Sequence, residues 1–385
     1  MRTIHRRTFA SLAAISAVLA VGASVSASTV PDDSAPDSSA APGASEAPAG
    51  TLPVSDAEGT IALLLPESQN ARYETHDRPE FEARVTERCP GCELEYANAE
   101  QDAATQLSQA EAALTNGADV LVLDPVDGQA AGAIVTMAED AGVPVISYDR
   151  LVLGVEGVDL YISFDNEQVG VLQATALVDK LHEDGITEGD IVMINGAPTD
   201  NNATFFKSGA HSVLDDSGFT IAAESDTVEW EPSNAQADMD GHITTVGAEN
   251  IVGVYAANDG TAGGAISAMV AAGIDPLPPV TGQDAEVAGL QRIISGEQYM
   301  TVYKATKGQA ETAADAAIAL LEGNEIAGIT GETDNGAEAV PSIILTPVAV
   351  TVDNIADTVI ADGYWTVEEI CTTDYAEACT AAGLE

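Results

Sequence analysis

Short apolar runs alternate with longer amphipathic segments from Thr60 onward. The apolar runs have the length of strands and predict strands over 60–65, 119–123, 144–147, 160–164, 190–194, 251–256, 279–281 and 299–303. The amphipathic segments predict helices over 77–88, 102–116, 128–141, 166–183, 202–215, 233–248, 260–272, 285–294 and 307–322. Strands that alternate with helices, and that are apolar throughout, indicate parallel sheets covered by helices on both faces. The pattern therefore predicts an α/β fold.

The N-terminal part has a different pattern. Residues 1–27 combine Arg2, Arg6 and Arg7 with a short apolar stretch and small residues, which is typical of a signal peptide. Residues 28–58 are almost all Ser, Ala, Pro, Gly, Asp and Glu, and they predict a disordered acidic linker. No Cys lies near the predicted cleavage site. We therefore expect an exported protein, periplasmic or at the cell surface or extracellular, that is soluble after signal cleavage.

Length and charge narrow the choice of function. The 385 residues suffice for two medium-sized domains besides the N-terminal segments. The net charge is −49, from 62 acidic and 13 basic residues. Such a charge repels a phosphate backbone, so we expect no nucleic-acid partner.

The four cysteines form two local pairs, Cys89 with Cys92 and Cys371 with Cys379. In an exported protein this spacing favours two structural disulfides. A redox-active pair at Cys89 and Cys92 is an alternative, but the pair precedes a strand-like segment instead of opening a helix. A four-cysteine zinc site is a further alternative, although the pairs lie far apart and no His accompanies them. We expect disulfides and no metal.

Polar residues follow the predicted strands, where ligands bind in open α/β sheets. We interpret five of them as caps of the following helices: Asp124, Asp165, Asn166, Asp259 and Gln283. Three cations are more telling because basic residues are scarce: Arg72 follows the first strand, and Arg150 and Lys304 stand directly at strand ends. Cations mixed with several carboxylates predict a polar, uncharged ligand held by donors and acceptors together.

A monosaccharide is such a ligand. Its hydroxyls suit Asp, Asn, Arg and Lys, and its faces suit an aromatic plate, which Trp230 could supply. No motif of a hydrolase, metalloprotease or phosphate-binding loop is present, and His76 is interpreted as a surface residue. We therefore expect a binding protein without cofactor and not an enzyme.

Several segments together resemble the periplasmic D-xylose-binding proteins, within the type I pentose/hexose group of solute-binding proteins. The resemblance covers about 60–363 and rests on Tyr148-Asp149-Arg150, Asp159–Glu167, Asp200–Ala203, Asn258–Gly264, Gly282–Asp284 and Met300–Lys304, extended by Leu345–Pro347 and Asp357–Ile360. It implies two Rossmann-like lobes joined by three hinge crossings, near 164–166, 303–306 and 337–340. The lobes would be 59–164 with 305–338, and 165–304 with 339–385, the latter ending in a disulfide-stapled tail.

The resemblance also implies the sugar-binding residues. They are Arg72, Tyr73, Asp149, Arg150, Asp200, Asn202, Trp230, Asn258, Asp284 and Lys304. The family usually has Trp where this chain has Tyr73, which bears on the choice among xylose, glucose and arabinose. By this resemblance the chain is a monomeric substrate-binding component of an ABC importer. It would close its hinge over D-xylose or a related monosaccharide and present it to the membrane permease.

Three other functions are compatible with parts of this pattern. A sensory protein with the same fold could present glucose- or arabinose-type sugars to a receptor. A LacI-type repressor shares the lobes, but the predicted export signal, the missing helix-turn-helix and the acidic charge oppose it. A sugar-cleaving enzyme needs only two suitably spaced carboxylates, and acidic residues are abundant here.

Overall fold

A computed structural model describes residues 53–384. The predicted signal peptide (1–27) and most of the predicted linker (28–58) lie outside these residues. Within them no helix has both the length and the apolar character needed to cross a membrane. The same residues contain no group of three or more His, Cys, Asp or Glu side chains placed to hold a metal ion.

Strands and helices alternate along residues 53–384. The strands are β1 (Gly59–Leu65), β2 (Cys92–Asn98), β3 (Val120–Leu123), β4 (Val145–Tyr148), β5 (Leu160–Phe164), β6 (Asp190–Asn195), β7 (Thr220–Asp226), β8 (Ile251–Ala256), β9 (Met300–Tyr303), β10 (Gly331–Asp334), β11 (Ala339–Leu345) and β12 (Val348–Thr351). The helices are α1 (Arg78–Arg88), α2 (Ala103–Asn116), α3 (Gly132–Ala141), α4 (Asn166–Glu183), α5 (Asn201–Leu214), α6 (Pro232–Val246), α7 (Asp259–Ala271), α8 (Val287–Ser295), α9 (Thr306–Leu321), α10 (Val367–Ile370) and α11 (Ala376–Ala381). All nine predicted helices are confirmed, with ends that differ by a few residues.

The first sheet has seven strands in the order β2–β1–β3–β4–β5–β11–β10. All neighbours are parallel except β10 and β11. Along β1, Ile61 and Leu63 pack with α1 and α9, whereas Ala62 and Leu64 pack with α2 and α3. Because side chains of a strand alternate between faces, the continuous apolar run of β1 supplies two cores at once.

The second sheet is built from β7–β6–β8, which are parallel. The segment 279–284 continues it, because Thr281 N–H donates to Val254 O (3.1 Å) and Val302 N–H donates to Gly282 O (3.0 Å). These bonds lead to β9, which pairs antiparallel with β12. Helices α4 and α5 cover one face of the β6–β8 sheet, and α6 and α7 cover the other. The predicted α/β class with parallel sheets is confirmed.

The chain returns to the second sheet later than predicted. Strand β11 pairs with β5 in the first sheet, from Ser342 opposite Tyr161 to Leu345 opposite Phe164. The change of sheet therefore comes between Leu345 and Val348, and the predicted crossing near 337–340 is wrong. The cause is the alternating, partly buried pattern of β11, which continues the first sheet beyond β5. The division into two lobes that move as separate bodies stays a prediction.

The C-terminal segment 364–384 packs on α8. Ile370, Cys379 and Leu384 are buried in one apolar cluster with Leu290 and Ile293. Both predicted disulfides are formed, Cys89–Cys92 and Cys371–Cys379, with Cα–Cα distances of 5.3 and 5.8 Å. The second disulfide joins the two short helices of this segment and confirms a stapled C-terminal extension.

Candidate functional site

One cavity lies where the carboxyl ends of the strands in the two sheets face each other. All ten residues predicted to bind the ligand line it: Arg72, Tyr73, Asp149, Arg150, Asp200, Asn202, Trp230, Asn258, Asp284 and Lys304. Each of them is 6% exposed or less. The empty space of the cavity, including the open solvent at its mouth, is about 280 Å³. The ten residues come from seven separate stretches of chain and meet in one place.

Three residues in the wall were not predicted: Asn70, Phe206 and Gln283. Phe206 lies four positions after Asn202 on the predicted helix, so helical spacing placed both on one face. Gln283 precedes Asp284 and was interpreted as a helix cap. Asn70 lies in the loop after β1, and no sequence signal separated it from its neighbours.

The loop after β1 places Arg72 and Tyr73 at the start of a single π-helical turn, Tyr73–Asp77. Two nitrogens of Arg72 donate to the two carboxylate oxygens of Asp77, at 2.8 and 2.6 Å. The third guanidinium nitrogen of Arg72, Nη1, donates to Asp149 Oδ1 at 3.3 Å. Burial opposes the charge of Arg72, but Asp149 and Asp77 outweigh it and raise its pKa well above the ordinary value. The Arg72 guanidinium is therefore a fixed, permanently charged donor.

The tight turn after β4 presents Asp149 and Arg150. Asp149 has a φ of +57°, an uncommon backbone conformation that aims consecutive side chains into the cavity. Burial disfavours the charged carboxylate of Asp149, yet Arg72, Lys304 and Arg150 together hold its pKa below the usual range. Arg150 Nε lies 3.0 Å from Asp200 Oδ2. The turn thus pairs Asp149 with Arg72 on its own side of the cavity and Arg150 with Asp200 on the other side.

Two acidic residues lie behind Arg150. Asp124 is fully buried, with Oδ1 at 3.7 Å from Arg150 Nε, and Glu67 Oε1 lies 3.8 Å from Arg150 Nη2. Burial raises the pKa of Asp124 well above its usual range and that of Glu67 to about 7, although Arg150 opposes both shifts. The raised pKa values of these two carboxyl groups reduce the negative charge next to Arg150 at neutral pH.

The helix N-termini of the second sheet bring their capping residues to the cavity. Asp200 caps α5 by accepting from Asn202 N–H at 2.8 Å, and its other oxygen accepts from Trp230 Nε1 at 3.2 Å. The Trp230 ring lies against Gly196, where a Cβ would come within 1.9 Å of the ring. Asn258 caps α7 in a capping box with Thr261. Capping therefore fixes side chains that also face the ligand space.

Asp284 and Lys304 complete the wall, with Lys304 Nζ 3.0 Å from Asp284 Oδ1. Asn70 Nδ2 donates to the other oxygen of Asp284 at 2.8 Å, and Asn202 Nδ2 donates to Asp149 O at 3.1 Å. Both bonds join residues of the first-sheet side to residues of the second-sheet side. The two sides of the cavity are therefore in direct contact with each other.

Four of the five predicted helix caps have other roles. Only Asp165 caps its helix, by accepting from Gln168 N–H at 3.0 Å. Asp124 is the buried neighbour of Arg150, Gln283 lines the cavity, and Asn166 donates to Asn202 Oδ1. Asp259 is the first residue of α7, and its carboxylate accepts from Gln298, Thr301 and Glu286 N–H. These four side chains contact buried partners elsewhere in the fold and do not cap a helix.

His76 was interpreted as a surface residue, and this is wrong. It is 8% exposed, and its ring stacks on Tyr364 with 3.8 Å between centroids. Burial lowers its pKa from 6.5 to about 4, although Asp77 opposes the shift. His76 is therefore a neutral aromatic plate at neutral pH.

The cavity combines charged donors and acceptors with aromatic walls. Three cations (Arg72, Arg150, Lys304) face three carboxylates (Asp149, Asp200, Asp284), and Tyr73, Phe206 and Trp230 supply flat apolar surface. Equal numbers of opposite charges favour a neutral ligand rich in hydroxyls, which exchanges several strong hydrogen bonds with such groups.

Comparisons with known proteins agree with this geometry. The family model described as periplasmic binding protein domain matches residues 61–325. The chain is 41% identical over 281 residues to the D-xylose-binding periplasmic protein of Escherichia coli (strain K12), which covers 72% of this chain and 82% of that protein. It is 36% identical over 330 residues to the multiple sugar-binding periplasmic receptor ChvE of Rhizobium radiobacter, covering 81% and 92%.

Solved structures give the same result. A solute-binding protein of an ABC transporter from Clostridium phytofermentans, with bound β-D-glucose, superposes with a TM-score of 0.76 at 29% identity, covering 81% of this chain and 99% of that one. A carbohydrate transporter solute-binding protein from Chloroflexus aurantiacus, in complex with D-glucose, gives 0.74 at 31% identity, covering 80% and 97%. Sequence, fold and cavity agree, and the chain belongs to the periplasmic binding protein domain family.

Proposed function

We propose that this chain is the extracytoplasmic substrate-binding component of an ABC sugar importer and binds a monosaccharide in the cavity. The single observation that carries the proposal is the wall composition: three cations and three carboxylates, all nearly buried, beside three aromatic rings. A charged ligand would leave one set of charges unmatched, at a high desolvation cost. A pyranose or furanose satisfies both sets with its hydroxyls.

D-xylose is the sugar that we propose. The 41% identical relative is named for D-xylose, and the match spans most of both chains. D-glucose is the main competitor, because two similar solved structures hold glucose and two relatives are named for multiple sugars. A sensory role is the second candidate function, since one of those relatives is named a receptor.

Closure of two lobes is the proposed mechanism. The ligand would contact Arg72 and Asp149 from the first-sheet side and Asp284 and Lys304 from the second-sheet side. A ligand that touches both sides only in the closed form biases the equilibrium toward it. The permease in the membrane would then recognise the closed form, and the chain would act outside the cytoplasm as a monomer.

Thermal unfolding with a sugar panel tests this function. The purified chain is heated with D-xylose, D-glucose, L-arabinose, D-ribose or D-galactose. A sugar at about 1,000 times its Kd stabilises the fold by about 4 kcal/mol, which shifts the Tm by several degrees. We expect the largest shift with D-xylose. An equal shift with D-glucose would mean that D-xylose is not the preferred substrate. No shift with any of the five sugars would contradict the proposal.

A further inference from the structure

The C-terminal segment 364–384 begins with two aromatic residues that contact both sides of the cavity wall. On one side the Tyr364 ring stacks on His76, with 3.8 Å between centroids and 18° between planes. The Trp365 ring meets the same His76 edge-on at 4.5 Å. On the other side Trp365 Nε1 donates to Ala285 O at 2.8 Å. One dipeptide thus joins two segments that are distant in sequence.

Each contacted residue is close to a residue of the cavity. His76 belongs to the π-helical turn that starts with Tyr73, and its neighbour Asp77 holds Arg72. Ala285 follows Asp284 directly. Tyr364 also packs on Tyr303, which precedes Lys304, with 5.1 Å between ring centroids. The dipeptide itself is absent from the cavity wall, so any effect on a ligand must pass through these neighbours.

The His76 ring serves this contact as an apolar plate. Its Nε2 has no hydrogen-bond partner within residues 53–384. The charged groups that face it are Arg72 and Asp77 from its own turn and Glu369 from α10. A ring that is buried without using its polar edge contributes through packing.

The rest of the segment fixes the dipeptide in place. Ile370 and Leu384 are buried against α8, and Gln291 Nε2 of that helix donates to Ile370 O at 3.0 Å. The Cys371–Cys379 disulfide closes the loop between them. Helix α8 begins two residues after Ala285. The C-terminal segment 364–384 and the residues around Asp284 (282–286, the Asp284 turn) are therefore attached to the same helix.

We propose that Tyr364 and Trp365 are positioning residues for the ligand cavity. The disulfide-stapled C-terminal segment sets ligand affinity by fixing the position of the Arg72 turn (70–77) relative to the Asp284 turn (282–286). The inference rests on the proposed function only for its affinity readout. The positioning itself is a property of the protein alone.

Hydrogen exchange of the purified chain tests the positioning without any sugar. Tyr364→Leu removes the stacked ring, and Tyr375→Leu is the matched control in the same segment, because Tyr375 packs on the same apolar cluster but its ring does not stack on His76. We expect Tyr364→Leu to speed exchange in both 70–77 and 282–286, and Tyr375→Leu to leave these two segments unchanged. Unchanged exchange in Tyr364→Leu would overturn the inference.

Sugar affinity tests the consequence. We expect Tyr364→Leu and His76→Leu to raise the Kd for D-xylose about tenfold, mainly through faster dissociation. His76→Phe keeps a stacking ring and should stay within about twofold of wild type, a rescue that lost folding would not give. Equal Kd in wild type and His76→Leu would overturn the inference.

The two proposals fail in different ways. If the wild-type chain binds none of the five sugars, the proposed function fails and the exchange experiment alone decides on the positioning. If Tyr364→Leu and His76→Leu bind sugar as tightly as the wild type does, and exchange in Tyr364→Leu is unchanged, the positioning fails and the function stands.

Discussion

At the scale of residues, the site depends on three short charge pairs: Arg72 with Asp149, Arg150 with Asp200, and Lys304 with Asp284. Removing one partner of such a buried pair leaves an uncompensated charge, which is costly. The pairs Arg72–Asp149 and Lys304–Asp284 each lie within one side of the cavity and hold donors and acceptors in place before a ligand arrives, whereas Arg150–Asp200 joins the two sides. Such preorganisation reduces the ordering cost that binding must overcome.

His76 gives the chain a pH dependence with a definite sign. Its pKa falls from 6.5 to about 4 on folding because the ring is buried. Between these values the unfolded chain binds more protons, so the stability that neutral His76 contributes is present above pH 6.5 and lost toward pH 4. We expect the Tm of wild type to fall relative to that of His76→Phe as the pH is lowered from about 7 to about 4.5.

The comparison of two proteins is needed because other groups act in the opposite direction. Burial raises the pKa of Glu67 and of Asp259 to about 7, so both favour the folded state as the pH falls. They are present in wild type and in His76→Phe, and their effect cancels in the difference between the two Tm values. A difference that stays flat over this range would show that His76 does not titrate as described.

At the scale of elements, α4 and α5 approach each other through glycines. A Cβ on Gly170 would lie 1.9 Å from Phe206 O, and one on Gly209 would lie 2.0 Å from Glu167 O. We expect Gly170→Ala to lower the free energy of unfolding by about 1–3 kcal/mol and to weaken sugar binding, because α5 carries Asn202 and Phe206. Chemical denaturation and a D-xylose titration measure the two effects.

Gly241 provides the control for this substitution. It lies inside α6, and a Cβ there would meet nothing within 4 Å. Gly241→Ala should therefore raise the free energy of unfolding by about 0.5–1 kcal/mol, by the usual preference of helices for Ala over Gly. If both substitutions had the same effect, the close approach of α4 and α5 would not be the cause.

The elements also explain what the sequence could predict. Central strands such as β1 are buried on both faces, and their continuous apolar runs were found. Strands β7 and β10 lie at sheet edges with largely polar residues, so periodicity did not separate them from loops. The cavity residues followed from strand ends, scarce cations and family resemblance. Phe206 was missed although its helical spacing from Asn202 placed both on one face. His76 was missed because a His in a loop carries no sign of its buried partner.

At the scale of the whole molecule, the net charge of −49 opposes the compact state through self-repulsion. Salt screens surface charges beyond about 10 Å at 0.1 M and affects the buried pairs much less. We expect the Tm to rise as sodium chloride increases from about 0.05 to about 1 M. Potassium chloride at equal ionic strength should give the same rise. A Tm that falls with either salt would contradict this account of the charge.

The central claim is that a neutral monosaccharide is held by the charged wall of one cavity. Titration calorimetry with D-xylose tests it most directly, on wild type, on Asp284→Asn and on the exposed control Asp353→Asn. We predict one site on wild type, unchanged affinity for Asp353→Asn, and affinity about 100-fold weaker for Asp284→Asn, which loses the partner of Lys304. No binding by wild type, or equal binding by Asp284→Asn, would contradict the claim.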